Sequence, residues 1–389
     1  MHSAVDREIR DLIQKDGRIT FAQFMQTCLY SPRGGFYSSR SNGINTHFGT
    51  SPTSHPVFGA LIAQQLEQFW HLLGDPSLFH VIEVGSGDGA LARSIVDASS
   101  RMTSGMAQAL CYVAADYEPW WPQSTGHTSG WDEGSGGRTG PSRQEMIGEI
   151  QRVKAEGLQP FRNVVGCILC NELLDNFPVH RFAIQNGRVK EVFVTLTEGN
   201  LTEILDEPST PRIEERLAGL GMSLPEGHRG EVNLAMEDWT SQLAATLAHG
   251  FVLTIDYGQL AADLYSPQHD QGTLVCFNRH VISSDPYQHI GRQDITAQVD
   301  FTSLMRLGEQ RGLATVGYAL QRHFLSNLGF SSFLDALRTQ DLSDARMELM
   351  RVALMALVDQ EEYGDFKVLA QAKGKGPGID LLGFEGRET

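Results

Sequence analysis

The sequence predicts an α/β protein built on a doubly wound, mostly parallel sheet, and three observations carry that prediction. The stretch HVIEVGSGDGALARSI (80–95) reads as a buried strand, a glycine turn and the start of an amphipathic helix. Three further apolar runs, LCYVAAD (110–116), VVGCILC (164–170) and GFVLTID (250–256), have the length and composition of strands buried on both faces. An acid stands at or beside the C-terminal end of each of the four: Glu83, Asp116, Glu172 and Asp256. Ligands of open α/β sheets bind outside the carboxyl ends of the strands, so acids gathered on one edge mark a functional site.

The glycine turn narrows the ligand. Gly85, Gly87 and Gly89 form G-x-G-x-G, which lets backbone pass where a Cβ would clash and presents helix N-terminal N–H groups. The dinucleotide fingerprint is G-x-G-x-x-G with no acid inside the turn. Here the third glycine is one place early and Asp88 stands within the turn. A carboxylate there suits the helix dipole but repels a pyrophosphate. A phosphate-free ligand with positive charge and a ribose diol, such as S-adenosylmethionine, fits better. Asp116 follows Gly85 by about thirty residues, somewhat beyond the usual spacing of a ribose-binding acid, yet it ends its strand where such an acid belongs.

Composition bounds the rest. With 389 residues, 41% hydrophobic and 20% charged, the chain has room for one large α/β domain with insertions, or two domains. A formal net charge of −16 opposes binding to a phosphate backbone, so nucleic acid is not an expected partner. No apolar run approaches the ~20 residues that cross a bilayer, so no membrane is expected either. MHSAVDREIRDLI carries acids and lacks an apolar segment, unlike a secretory signal or an Arg-rich transit peptide, and the expectation is a cytoplasmic protein. Five scattered cysteines suit a reducing compartment. Cys167 and Cys170 make a C-x-x-C, but on a strand residues three apart face opposite ways, so they are expected in the core rather than on a metal.

Taken in order, Val5, Ile9, Leu12 and Ile13 recur at helical spacing up to Asp16-Gly17. Thr20 then caps a second helix carrying Phe21, Phe24 and Met25. The polar run TSPTSHP precedes a helix from Val57 to Leu73. Residues 122–143 are a Gly/Ser-rich loop beside Trp120, Trp121 and Trp131, which either line an entrance or anchor the surface; a helical pattern follows over Glu145–Glu156. RFAIQNGRVKEVFVTLT is a hairpin turning at Asn186-Gly187. Residues 200–232 read as irregular or short-helical, and Met236–Leu247 as helix. A long excursion covers 259–300, then VDFTSLMRLGEQRGL is a helix, Ala314–Ala319 a strand, FLSNLGFSSFLDAL a helix, and FKVLAQAKG a closing strand.

With those stretches in view, the chain resembles the MidA-like family of class I S-adenosylmethionine-dependent methyltransferases. The matching pieces are GRITFAQFM, the run from Tyr30 (YSPRGGFYS), FGTSP with VFGALIA, EVGSGDGAL, CNELLDNFPVHRF with EVFV, TIDYG, TAQVDFTSL and HFLSNLGF. They extend from about Gly17 to Ala372. The resemblance implies a Rossmann-like seven-stranded sheet with a helical N-terminal cap and inserted substrate-covering segments. It implies a cap over 1–75, a cofactor-binding core over 76–180, an inserted hairpin and helical region over 181–250, the second half of the core over 251–375, and a flexible tail over 376–389.

It further implies that Glu83, Gly85, Ser86, Gly87, Asp116, Tyr117 and Asn171 contact S-adenosylmethionine, with Thr50, Ser51 and Pro52 folded over it. Glu172 and Asp175 would border the transfer site and serve the acceptor. Mitochondrial members are complex I assembly factors that methylate an arginine of an NADH dehydrogenase subunit. Two departures bear on that acceptor. His47 and Thr53 stand where the family carries Asp and Glu, which weakens a guanidinium reading and leaves His47, His55 and His180 as bases for a small-molecule hydroxyl. The expectation is therefore methyl transfer to a protein or small-molecule N or O acceptor. The alternatives are an O-methyltransferase of a small metabolite and a non-catalytic assembly factor, and there is room for a homodimer. No metal is expected.

Overall fold

Val81, Ile82 and Val84 are buried because the strand that carries them lies in the interior of a seven-stranded sheet. A computed structural model describes residues 3–38, 50–116, 150–155, 157–278, 281–339, 342–376 and 378–385. The sheet contains β1 (Phe79–Val84), β2 (Leu110–Asp116), β3 (Ile150–Lys154), β4 (Val164–Asn171), β5 (Leu247–Asp256), β6 (Ala314–Leu320) and β7 (Lys367–Lys373) in the order β3-β2-β1-β4-β5-β7-β6. Strands β1 to β5 pair in parallel, and β7 runs antiparallel to both of its neighbours. This is the sheet the resemblance implied.

The chain divides into two compact units. One comprises Gly49–Asn171, Ser241–Asp256 and Gly308–Thr389 and contains the seven-stranded sheet. Its helix Val57–Leu72 buries Phe58, Leu61, Ile62, Leu66 and Phe69, spaced three and four apart, which sets one continuous apolar stripe toward the core. Phe69 stacks on Phe251 of β5 with ring centroids 4.0 Å apart. Cys167 belongs to the apolar cluster around Phe69 and Phe251 whereas Cys170 does not, as opposite faces of β4 require; both thiols are free and buried.

The other unit comprises Met1–Phe48, Glu172–Thr240 and Tyr257–Leu307. Ile19–Thr20, Arg188–Thr197, His180–Gln185 and Arg229–Val232 form a sheet in that order, with Asn200–Asp206 paired to Arg188–Thr197. Helix Ala4–Asp16 buries Val5, Ile9 and Ile13. Helix Phe21–Tyr30 opens on a capping box between Thr20 and Gln23. The hairpin turns where expected, with Asn186 and Gly187 both at positive φ, as a type I′ turn requires. Val275–Asn278, Val281–Ser283 and Asp294–Thr296 make a small three-stranded sheet within the excursion.

Several expectations are corrected. The compact units cut across the sequential blocks: 1–75 is divided near residue 48, and the core resumes after two insertions, because sheet pairing rather than sequence proximity groups the elements. Ile150–Lys154 is a strand, not part of a helix; the open side of β2 offers backbone partners, pairing Val113 with Gln151, and that outweighs local helical spacing. Asn200–Asp206 is a strand rather than irregular chain, returned by Glu198 and Gly199 at positive φ. FLSNLGFSSFLDAL is broken at Gly329 into helices Gln321–Asn327 and Phe330–Arg338. The tail is not loose over 378–385: Leu381 and Phe384 join the apolar core, and Gln65 and Gln68 accept the N–H groups of Gly383 and Leu382. Residues 122–143, with Trp120, Trp121 and Trp131, lie outside the described residues. Among the described residues no helix is long and apolar enough to cross a membrane.

Candidate active site

Strand register decides which polar groups share an edge. Val84 is paired with Ala115 and with Cys170, and Asn171 with Ile255, so Glu83, Asp116, Asn171 and Asp256 all end on the carboxyl edge of the sheet. After Val84 the chain turns through Gly85, Gly87 and Gly89, all at positive φ, and enters helix Ala90–Ser100. Asp88 Oδ1 accepts the Ala90 N–H at 2.9 Å, satisfying the first N–H of that helix. Asp116 Oδ2 accepts the Gly87 N–H at 2.7 Å, and the carbonyl of Ala115 accepts the Gly85 N–H at 2.9 Å. The turn is thus stitched to the tip of β2.

Space and charge at this turn suit a cation. Among the described residues, a Cβ added at Gly87 would meet no atom within 4 Å. Ser86 Oγ is buried and has no hydrogen-bond partner among the described residues. Glu83 is 4% exposed and accepts the Tyr112 hydroxyl at 2.7 Å. Burial pushes its carboxyl up to about 8; the Tyr112 bond and Arg93 oppose the rise, while Asp116 and Asp88 add to it. A buried acid among further acids is held neutral until positive charge arrives.

The segment Thr50–Ser54 packs against helix Ala90–Ser100, the helix that leaves the glycine turn. Thr53 Oγ1 accepts the Thr50 N–H at 2.9 Å, so Thr53 does locally what a glutamate does in a capping box. Ser51 is fully buried, and Pro52 follows it in the same helical turn. His55 Nδ1 accepts the Val57 N–H, and burial lowers its pKa, so it acts as a neutral cap. His47 and Tyr117 lie outside the described residues.

The acceptor-side candidates belong to the other unit. Glu172 stands at φ 50, left-handed backbone that a non-glycine residue adopts at some cost. Asp175, in a 3₁₀ turn over Leu174–Asn176, accepts the Tyr257 hydroxyl on Oδ2; its Oδ1 has no hydrogen-bond partner of good geometry among the described residues. The neighbouring Asn176 donates to Asp294 Oδ1 at 3.0 Å, and the Tyr37 hydroxyl bridges Asn176 Oδ1 and Asp294 Oδ2 at 3.0 and 2.9 Å. Asp175 and Asp294 are 3% and 1% exposed. Burial pushes Asp175 up to about 6, and burial together with Asp175 pushes Asp294 up to about 7. The hydrogen-bond partners of both carboxyls are neutral.

His180 is not tied to this network. Its Nδ1 is 2.7 Å from Glu191 Oε1, and it lines an open groove with Thr20, Gln23, Gln26 and Ser209. Asp294, Asn176, Tyr37 and Tyr257 were missed as candidates from sequence. Tyr37 lies in the YSPRGGFYS run, Tyr257 in TIDYG, and Asp294 two residues before TAQVDFTSL, so the signal lay in or beside the resembling stretches.

Comparison with known proteins adds to the geometry. Residues 61–319 match the model of a family described as S-adenosyl-L-methionine-dependent methyltransferase. The Drosophila melanogaster "Protein arginine methyltransferase NDUFAF7 homolog, mitochondrial" is 25% identical over 394 residues, covering 96% of this chain and 86% of that protein. Its Homo sapiens counterpart, also named mitochondrial, is 24% identical, covering 85% of this chain and 74% of that protein. A Burkholderia thailandensis protein solved with S-adenosyl-homocysteine is 27% identical with a TM-score of 0.78, covering 98% of this chain and 94% of that one. The relatives' names overturn the cytoplasmic expectation. The opening on which it rested folds as helix Ala4–Asp16.

Proposed function

The chain belongs to the S-adenosyl-L-methionine-dependent methyltransferase family, and on that premise we propose that it methylates a guanidinium nitrogen of a protein arginine. The observation that carries the choice of acceptor is the Asp175–Asp294 pair: two buried carboxyls whose hydrogen-bond partners are all neutral. Buried acids so arranged are matched by a cation that can donate several hydrogen bonds in a plane, which describes a guanidinium. The names of the curated relatives support the same acceptor. Thr53 in place of glutamate does not count against it, since Thr53 is used in capping its own turn.

On the donor side, Gly85, Ser86 and Gly87 supply backbone and a free hydroxyl, Asp116 accepts from the ribose diol, and Glu83 supplies negative charge. Asp116 already receives the Gly87 N–H, but a carboxylate has about four acceptor sites, so diol hydroxyls can be added. Asn171 and the Thr50-Ser51-Pro52 segment complete that side. Bound S-adenosylmethionine supplies an electrophilic methyl group on a sulfonium. The remaining work of the protein is to align the acceptor, exclude water and take one proton. Asp175 and Glu172 are assigned to hold the guanidinium, and Asp175, with an oxygen open, takes the proton lost as nitrogen is methylated. His180, engaged by Glu191, is not needed for this.

The experiment is incubation of the protein with methyl-labelled donor and cell extract, followed by hydrolysis of the labelled fraction. Label recovered as methylarginine supports the proposal. Label confined to small molecules assigns the chain to metabolite methylation.

A further inference from the structure

We infer that Gln321 is a positioning residue for the methyl donor: it latches the Ser51 segment in place and thereby slows donor release. β6 runs parallel to β5, since both are antiparallel to β7, and Leu320 and Asp256 both pair with Lys367. Gln321 therefore leaves the sheet on the same carboxyl edge as Glu83, Asp116 and Asp256. Its backbone is pinned there, its N–H donating to the Phe366 carbonyl at 2.7 Å. The side chain is fully buried, and Nε2 donates to the Leu357 carbonyl at 2.9 Å and to Ser51 Oγ at 3.3 Å. Oε1 is buried with no partner among the described residues.

An amide buried with one acceptor oxygen unmatched is costly, and a leucine of similar size would avoid the cost. What the amide provides is a link between two points of the chain that are 270 residues apart: the end of β6 and the turn Ser51–Ser54. That turn also packs on helix Ala90–Ser100, which issues from the glycine turn. The Gln321–Ser51 bond is thus a second anchor for the segment, besides its packing on that helix. Without the bond, the segment keeps its own capping bonds at Thr50, Thr53 and Ser54 and its packing on neighbouring helices but loses its tie to the end of β6. The inference rests on the reading that Thr50–Ser54 covers the donor.

The test is a double-mutant cycle with Gln321→Leu and Ser51→Ala, reading S-adenosyl-homocysteine affinity by calorimetry and its release rate by stopped flow. Each single variant should bind about fivefold to tenfold more weakly, the size expected for one buried neutral hydrogen bond. The loss should lie in the release rate, with the association rate unchanged. In the double variant the two losses should combine to less than their product, because the Gln321–Ser51 bond is removed by either change. Losses that multiply in the double variant, or a release rate equal to wild type in Ser51→Ala, would overturn the latch. Should Gln321→Leu not fold, the release rate of Ser51→Ala decides. If the unaltered protein binds no S-adenosyl-homocysteine at all, it is the cofactor reading that fails instead.

Discussion

Gly87 donates its N–H to Asp116 Oδ2 across 2.7 Å, which makes the first glycine turn and the tip of β2 a single hydrogen-bonded unit. Loss of this carboxylate removes both the stitch and the proposed diol acceptor. Asp116→Ala is expected to weaken donor binding by about tenfold to a hundredfold, the range for hydrogen bonds to a charged group. Asp116→Asn keeps one acceptor for Gly87 and should lose less. Calorimetric titration of both variants checks the order.

Glu83 ties proton release to donor binding. With its carboxyl raised to about 8 by burial, Glu83 is mostly protonated near neutrality. A cationic donor favours the ionised form, so binding should release a proton, and affinity should rise with pH from 6 toward 8, by no more than tenfold per unit. Titrations in buffers of different ionisation enthalpy count the protons. Glu83→Gln should show neither proton release nor pH dependence.

Two glycines separate folding from binding. A Cβ at Gly166 would lie 1.9 Å from the His80 carbonyl oxygen of the neighbouring strand, at φ 150. Gly166→Ala should therefore destabilise the protein by about 3 kcal/mol or more. Gly87→Ala meets open space at φ 52 and should cost only about 1 kcal/mol of stability. Its methyl group enters the proposed donor space, so donor affinity should nevertheless fall severely. Denaturant melts paired with calorimetry distinguish the two.

The buried pair of acids gives stability a slope with pH. Asp294 has its folded-state carboxyl raised to about 7 from an ordinary 3.8, so the unfolded chain ionises first. Its contribution is full below about 4 and is lost as pH rises toward 7. Asp294→Asn keeps acceptors for Asn176 and Ile295 and should flatten the melting temperature between pH 4 and 7. A variant as pH-dependent as the wild type would refute the assignment.

Where the sequence was legible, the signal was local. Leu110–Asp116 emerges with the limits its apolar run marks, and Thr20 caps the helix it precedes. The turn at Asn186-Gly187 needs only the two residues that tolerate positive φ. The glycine turn and Asp116 could be paired because a strand–turn–helix unit fixes where each must lie. What stayed hidden depends on distant partners. Ile150–Lys154 is a strand only because β2 offers an edge. Asp294, 118 residues from Asn176, and Gln321, 270 from Ser51, become site candidates only when folding makes them neighbours.

The central claim is that the turn after β1 holds the methyl donor amid the acids of the sheet's carboxyl edge. Its most direct test is a crystal of the protein grown with S-adenosyl-homocysteine. The account predicts the ribose diol on the Asp116 carboxylate and the ligand lying against Gly85 and Gly87. A ligand bound away from that turn, or with its diol on another residue, would contradict it.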